Sequence, residues 1–255
     1  MLSFKMGKLT IQYNHAHDIA AILEVFVLNV YKNEKIRKGD VVLDLGAGIG
    51  EFSTLSSGKI GSNGKVTAIE PSPNDYRTLT DSLKENHCDN VFPLNLALSD
   101  FVGAIKLEFK GKKFRSRCKS LKDILNEMGC DKINFIKMDI EGAEEKIIQQ
   151  NTDIFRNIDY PSMEIHNGYK GELIRIMDGL GFRFERITKK RYIQNAIRFT
   201  LGHPIKSYVL PHLLKQYGKY PRLKKIANGI EIEDSNSFVV GTFIKSGSSH
   251  RLGSV

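Results

Sequence analysis

The sequence predicts an α/β fold, a doubly wound and mostly parallel seven-stranded sheet with a basic helical insertion before its last strand. Three observations carry this. Short β-rich apolar runs recur from Val41 onward, stretches of helical length separate them, and the first run ends in a glycine-rich turn.

Strands are expected at Val41–Leu45, Lys65–Glu70, Val91–Ala97, Asn134–Asp139, Ser162–His166, Phe182–Ile187 and Ser237–Lys245. Helices are expected at 74–84, at 121–128, where Leu121, Ile124, Leu125 and Met128 share one face and Gly129 supplies a stop, and at 143–150 and 172–180. Repeated βαβ order implies an open sheet whose ligand sits beyond the carboxyl ends of the strands. Residues 1–33 are expected to be a helical segment, apolar nearly all round from Ile19 to Tyr31 and packed on the sheet. Residues 34–245 then make up the main domain, and 246–255 a disordered tail of small polar residues. Ala104 to Phe109 is short and β-like and is expected to form a hairpin with the strand before it.

With 255 residues, 41% hydrophobic and 26% charged, the chain can bury a sizeable core, and neither disorder nor a fibrous repeat fits. Three well-separated cysteines without a CxxC pair argue for a reducing setting and against a zinc site. The longest apolar stretch is too short for a bilayer and the start has no signal-type apolar block, so a cytoplasmic protein without a transmembrane segment is expected. The net charge of +9 is concentrated: Lys189 to Lys225 holds ten basic residues and no acidic one. This segment, within the insertion at 188–235, interleaves Tyr192, Phe199, Tyr208, Tyr217 and Tyr220, a mixture suited to phosphate contacts and base stacking. A second basic run spans 110–119.

The chemistry starts at Val41-Val-Leu-Asp-Leu-Gly-Ala-Gly-Ile-Gly-Glu-Phe52, a buried strand running through glycines 46, 48 and 50 into a helix near Glu51. Glycines let the backbone approach a ligand, and a helix start offers free N–H groups. Asp44 closes the strand, and Glu70 ends the next one, where an acid can bind ribose hydroxyls. A dinucleotide is disfavoured because the last glycine of its fingerprint falls on Glu51, which would face a pyrophosphate badly. A nucleoside without phosphate fits better.

Asp44-Leu-Gly-Ala-Gly-Ile-Gly50 and Thr67-Ala-Ile-Glu-Pro71 resemble the first two motifs of the class I S-adenosylmethionine-dependent methyltransferases, which are Rossmann-like. More narrowly, Ala68-Ile-Glu-Pro-Ser-Pro73, Asn95-Leu-Ala-Leu-Ser-Asp100 and Ile136-Lys-Met-Asp-Ile-Glu-Gly-Ala-Glu144 resemble the FkbM family. The resemblance implies S-adenosylmethionine as cofactor, held by Asp44, Gly46, Ala47, Gly48, Gly50, Glu70 and Pro71, with the adenine near Ala97, Leu98 and Ser99.

The acceptor end is read from strand alternation. Lys137 and Asp139 share one face of their strand and Glu141 follows, while Glu164 and His166 share a face of the next strand. These five are the candidate catalytic residues, with His166 or a carboxylate as the base that removes a proton from an alcohol acceptor. A structural network among Lys137, Asp139 and Glu141 is the plain alternative. A divalent ion held by Asp139, Glu164 and His166 is open but not favoured. The expected function is methyl transfer, most simply to oxygen of an anionic or hydroxyl-bearing small molecule or glycan. The alternative is an RNA methyltransferase or a nucleic-acid-binding module using Lys189 to Lys225. The sequence carries no signal for oligomeric state.

Overall fold

The structure, a computed structural model, describes residues 2–15, 18–109, 111–130, 132–166, 170–202 and 238–246. The chain opens with an antiparallel hairpin of β1 (Leu2–Met6) and β2 (Leu9–Tyr13), then α1 (Asp18–Leu23), which runs into a π-helical turn at Glu24–Leu28. Next come β3 (Val41–Leu45), α2 (Glu51–Ile60), β4 (Lys65–Ile69), α3 (Pro73–Glu85) and β5 (Val91–Leu94). The short β6 (Ala97–Leu98) leads to β7 (Gly103–Phe109), β8 (Lys112–Lys119) and α4 (Leu121–Met128). The second half holds β9 (Phe135–Met138), α5 (Glu144–Gln150), α6 (Thr152–Arg156), β10 (Tyr160–His166), α7 (Lys170–Gly179), β11 (Phe182–Arg186), α8 (Lys189–Gly202) and β12 (Phe238–Lys245).

Seven strands form the central sheet in the order β11-β12-β10-β9-β3-β4-β5, parallel except for β12, which runs antiparallel between β11 and β10. The order in which the chain adds strands reverses at β3, with β4 and β5 on one side and β9 on the other, so the carboxyl ends of the parallel β3, β4 and β9 lie side by side where a doubly wound sheet opens its ligand crevice. Period-two alternation sends Val42, Val66 and Phe135 into one core layer with α2, α3 and the N-terminal segment. Leu43, Leu45, Ile136 and Met138 enter the other with α4, α5 and α7. Both faces are covered, which is why these strands read as near-continuous apolar runs. Among the described residues no helix is long and apolar enough to cross a membrane.

Four local readings change. Residues 1–33 begin with the β1–β2 hairpin rather than a helix: Phe4 and Ile11 pair across a turn at Gly7, which sits at φ 62°. The apolar segment that follows is helical, but its α-helix gives way at Glu24 to a wider turn closed by Asn29 at φ 50°. The strand expected through Ala97 stops at Leu94, because Asn95 turns its side-chain N–H groups onto the carbonyls of Glu70 and Pro71. Ala97 and Leu98 then pair with Cys118 and Lys119 of β8. Ala104 to Phe109 pairs antiparallel with the following basic run and not with the strand before it, since the turn at Gly111, φ 72°, brings Phe109 opposite Lys112. The insertion is described only through α8, and its remainder and the tail beyond 246 lie outside the described residues.

The N-terminal hairpin is held to α3 by polar side chains. Asn86 accepts from Thr10 N at 2.7 Å and donates to Thr10 O at 2.6 Å, while Ser82 Oγ accepts from Gln12 N at 3.0 Å. Replacing Asn86 with Ala is expected to cost about 1–3 kcal/mol by leaving these backbone groups unsatisfied. The urea midpoint should fall with an unchanged m-value.

Candidate active site

The glycine turn is fixed by close approach. Gly46, at φ 76°, leaves no room for a side chain, since a Cβ there would run into the Asp139 carbonyl. Gly46 N and Ala47 N donate to Ile69 O at 3.0 and 2.9 Å, tying the turn to the end of β4. From that same end, Glu70 accepts from Gly48 N at 2.8 Å and from Ser72 N at 2.7 Å. A carboxylate has lone pairs to spare beyond these two bonds, so Glu70 can also accept from a ligand hydroxyl. Burial pushes its pKa up to about 8, against the opposing effect of the Ser72 and Gly48 N–H groups.

Beneath the turn lies an ion pair. Asp44 and Lys137 are register partners on β3 and β9 and point to the same face, so the lysine Nζ stands 3.2 Å from Asp44 Oδ1. Both side chains are buried. Ser53 donates to Asp44 Oδ2 at 2.6 Å, Lys137 Nζ also donates to Gly46 O, and the Tyr31 ring lies 5.4 Å from that Nζ. Burial lowers the lysine's pKa, but the negative charges of Asp44, Asp139 and Glu51 outweigh it and the net shift is upward.

A cavity of about 450 Å³ opens over this platform. Gly46, Gly48, Ile49, Glu70 and Pro71 line it from the turn and the end of β4, Leu96 to Leu98 from beyond β5, and Lys137, Asp139, Ile140 and Glu141 from the end of β9. Glu70 and Asp139 therefore flank the turn from opposite sides, two strand spacings or about 10 Å apart. The size is in the ordinary range for small-molecule sites. The acid at Glu70 and the apolar patch of Ala97 and Leu98 suit the ribose and base of a nucleoside.

Of the cofactor residues expected from the sequence, Asp44, Ala47 and Gly50 do not line this cavity. Asp44 supports from below, Ala47 is buried, and Gly50, at φ 88°, stands at the start of α2. Ser99 turns to Lys119 O and Asp100. The sequence reading missed the wall formed by the β7–β8 hairpin, whose Ile105, Leu107, Phe109 and Phe114 face the cavity, and it missed Asp18 and assigned Glu51 only an excluding role. Strict alternation of apolar and charged residues in Ile105-Lys-Leu-Glu-Phe109 was the available signal for the wall.

At the acceptor end, Asp139, Glu164 and His166 do converge, their ligand atoms lying within 4.8 Å of one another. His166 Nδ1 lies 3.0 Å from Glu144 Oε1, and Nε2 lies 3.3 Å from Glu164 Oε1, 3.3 Å from Glu141 Oε2 and 3.7 Å from Asp139 Oδ1. Glu141 reaches this ring from a left-handed backbone position at φ 55°. Glu144 Oε1 also accepts from Ile140 N and Gly142 N, which holds the turn after β9 in place. Burial alone would lower the pKa of His166, but hydrogen bonds to Glu144 and Glu164 prevail and push it up to about 10. At neutral pH it is an imidazolium, which does not accept a proton. Asp139 is different: Tyr31 Oη donates to Oδ2 at 3.2 Å, while the buried Oδ1 has no hydrogen-bond partner.

α8 lies elsewhere. Arg191 pairs with Glu34, Asn195 Nδ2 donates to Leu28 O at 2.6 Å, and no described residue of α8 lines the cavity. A separate open depression of about 410 Å³ on α8 shares no residue with it.

A sheet of this order with one antiparallel strand, a glycine turn after its first parallel strand and an acid ending the next, is a Rossmann-like methyltransferase fold. The chain belongs to the family of the methyltransferase FkbM domain, whose model matches residues 44–184, more than half of the sequence. It is similar to hexuronic acid methyltransferase AglP of Haloferax volcanii, with 29% identity over 147 residues, covering 53% of this chain and 59% of that protein. It is also similar to methyltransferase sdnD of Sordaria araneosa, with 23% identity over 212 residues, covering 64% of this chain and 81% of that one. Among solved structures, the fibrillarin pre-rRNA processing protein of Methanococcus jannaschii aligns at a TM-score of 0.49 with 16% identity, over 96% of this chain and 83% of that one.

Two outcomes are expected. Lys137→Met strands a buried carboxylate at Asp44 and should cost about 3–5 kcal/mol in chemical denaturation. The second concerns pH. Glu51 and Glu70, raised from 4.5 to about 8, hold protons in the folded state that the unfolded chain has released, so stability falls as pH climbs through that window. His166, raised from 6.5 to about 10, adds stability that is full below 6.5 and lost as pH rises through 10. Urea midpoints should decline across both windows in the parent protein, and His166→Ala should flatten only the upper one.

Proposed function

We propose that the chain is an S-adenosylmethionine-dependent methyltransferase acting on an oxygen of an anionic or hydroxyl-bearing small molecule or glycan. The observation that carries this reading is the single cavity bounded by Glu70 on one side of the glycine turn and Asp139 on the other. When bound, S-adenosylmethionine supplies a methyl group on a sulfonium, ready for in-line displacement. Glu70 would hold the ribose hydroxyls, and Ala97 and Leu98 would pack on the adenine. Gly46 and Gly48, lacking side chains, would let the ligand approach the backbone closely. Asp139 Oδ1 would take the proton that the acceptor oxygen gives up on being methylated. Its position next to the turn lets it hold the acceptor in line, where most of the rate gain arises.

Of the two kinds of base the sequence left open, His166 or a carboxylate, this reading takes the carboxylate of Asp139, and His166, Glu164, Glu141 and Glu144 become the network that orients it. Lys137 serves as the anchor of the turn. An alternative in which a divalent ion takes the place of the imidazolium proton predicts that a chelator abolishes turnover. The exposed cations of the β7–β8 hairpin, Lys106 opposite Arg115 with Arg117 on the same face, point away from the cavity, so they would bear on an anionic acceptor only where it extends past the hairpin, as a glycan can. AglP, by its name a methyltransferase of a hexuronic acid, points to an anionic sugar acceptor. RNA is the second reading and rests on Lys189 to Lys225, of which 203–225 lies outside the described residues.

Methyl transfer from labelled cofactor into cell extract split into small-molecule, glycan, protein and RNA fractions tests both readings. Label is expected in the glycan or small-molecule fraction, and label in RNA alone would favour the second. By calorimetry, S-adenosylmethionine and S-adenosylhomocysteine should bind and NAD should not. Glu70→Ala should weaken binding by about 1.5–3 kcal/mol. Asp139→Asn should lower turnover about 10²-fold or more while leaving cofactor affinity within a factor of about two.

A further inference from the structure

The cavity carries more acid than the ribose and the acceptor require. Asp18 and Glu51 also line it, the first residues of α1 and α2, with only 3% and 6% of their surfaces exposed. Asp18 Oδ2 is oriented by two backbone donors, Asn14 N and His15 N, each at 3.0 Å. Glu51 Oε2 is buried without a hydrogen-bond partner and sits over Gly48, where an added Cβ would lie 3.9 Å from it. The charged groups acting on Glu51 are Asp18 from α1, Asp44 from β3 and Lys137 from β9. Lys137, the one cation among them, is already engaged by Asp44 and Gly46 O. A buried carboxyl with one unpartnered oxygen beside a second buried carboxylate calls for an explanation, and a donor arriving from outside the protein supplies one.

We propose that Asp18 and Glu51 form an acidic clamp for a primary ammonium group, the α-ammonium on the amino-acid half of the cofactor, and that closing the clamp expels a proton from Glu51. The clamp rests on the cofactor reading given above and extends it to a second polar subsite, separate from the ribose subsite at Glu70. Its coupling to protons follows from chemistry. Burial, assisted by the charges of Asp44 and Asp18 and opposed by Lys137, holds the Glu51 carboxyl protonated up to about pH 8 in the empty protein. An arriving ammonium has no acceptor lone pair and only donors, so it favours the ionised carboxylate. The proton leaves to solvent as the ion pair forms. Affinity for an ammonium-bearing ligand therefore rises with pH up to about 8, close to tenfold per unit below that value.

Calorimetry at pH 7 in two buffers of different ionisation enthalpy measures the proton directly. The probes are S-adenosylhomocysteine, which has the ammonium, and 5′-methylthioadenosine, which keeps the base, ribose and sulfur but lacks the amino-acid end. Any proton released at Glu70 is common to both ligands. The expected result is that S-adenosylhomocysteine releases about one proton more than 5′-methylthioadenosine, that Glu51→Gln cancels this excess and weakens S-adenosylhomocysteine at least tenfold at pH 8, and that the same variant leaves 5′-methylthioadenosine within twofold. Asp18→Asn should also weaken only the ammonium-bearing ligand. Gln matches the protonated carboxyl in size and charge, so the variant is expected to fold, and its binding of 5′-methylthioadenosine reports that it has. Equal proton release by the two ligands, with Glu51→Gln indifferent to both, would overturn the clamp while leaving the cofactor reading intact. Failure of the parent protein to bind either ligand would overturn both.

Discussion

The rest of the site depends on the buried pair of Asp44 and Lys137. A charge removed from water on both partners carries a desolvation cost of several kcal/mol per ion, and mutual attraction repays it only when the remaining hydrogen-bonding capacity is used. Here Ser53 takes Asp44 Oδ2, and the lysine's further donor goes to Gly46 O. The last of these bonds links the pair to the site. Gly46 has no side chain to hold it and a left-handed backbone, so its orientation is set from outside, by Lys137 on one carbonyl and by Ile69 O on the neighbouring N–H groups. Removing the lysine would therefore loosen the turn that brings the β3 and β9 ends into contact.

The same register explains why two chemistries meet at one cavity. Because β3 is flanked by β9 and β4, the turn after it stands between Asp139 and Glu70. Asp139 shares a face with Lys137, two residues earlier, and Tyr31 bridges the two by placing its ring near the lysine and its hydroxyl on Asp139. The platform beneath the cavity and the Asp139 carboxylate beside it are thus parts of one packed unit.

Strands β3, β4 and β9 were legible from the sequence to within a residue or two, because strands covered on both faces leave apolar runs that few other structures produce, whereas the edge strand β11 was legible from the alternation of Phe182 and Phe184 with charged residues. Glu70 and Asp139 were legible as cavity residues for a related reason, since each closes such a run at its carboxyl end. The N-terminal hairpin was missed although Leu2-Ser-Phe-Lys-Met6 and Leu9-Thr-Ile-Gln-Tyr13 alternate about Gly7, since each strand is only five residues long and the hairpin's attachment to α3 is made by Asn86 and Ser82, more than 60 residues away in sequence. The early end of β5 was hidden as well, as it depends on where Asn95 finds carbonyls. Convergence of His166 with Asp139 and Glu164 followed from strand spacing, but its protonation did not. Glu144, which supplies one of the hydrogen bonds raising its pKa, lies on a helix, and no strand alternation places it there.

The β7–β8 hairpin adds a constraint of its own. Its inner face is apolar because it closes the cavity, and two-residue alternation then forces every second side chain outward. On that outer face Lys106 lies directly opposite Arg115, an arrangement of like charges across an antiparallel pair that weakens the hairpin. Glu108 opposite Lys113 relieves one such position, whereas Arg117 faces only Ala104. The hairpin is attached to the body chiefly through β6, a strand of two residues, so it keeps this unfavourable face with little sheet to support it. An anion bound along the face would offset the repulsion and stiffen the wall at the same time.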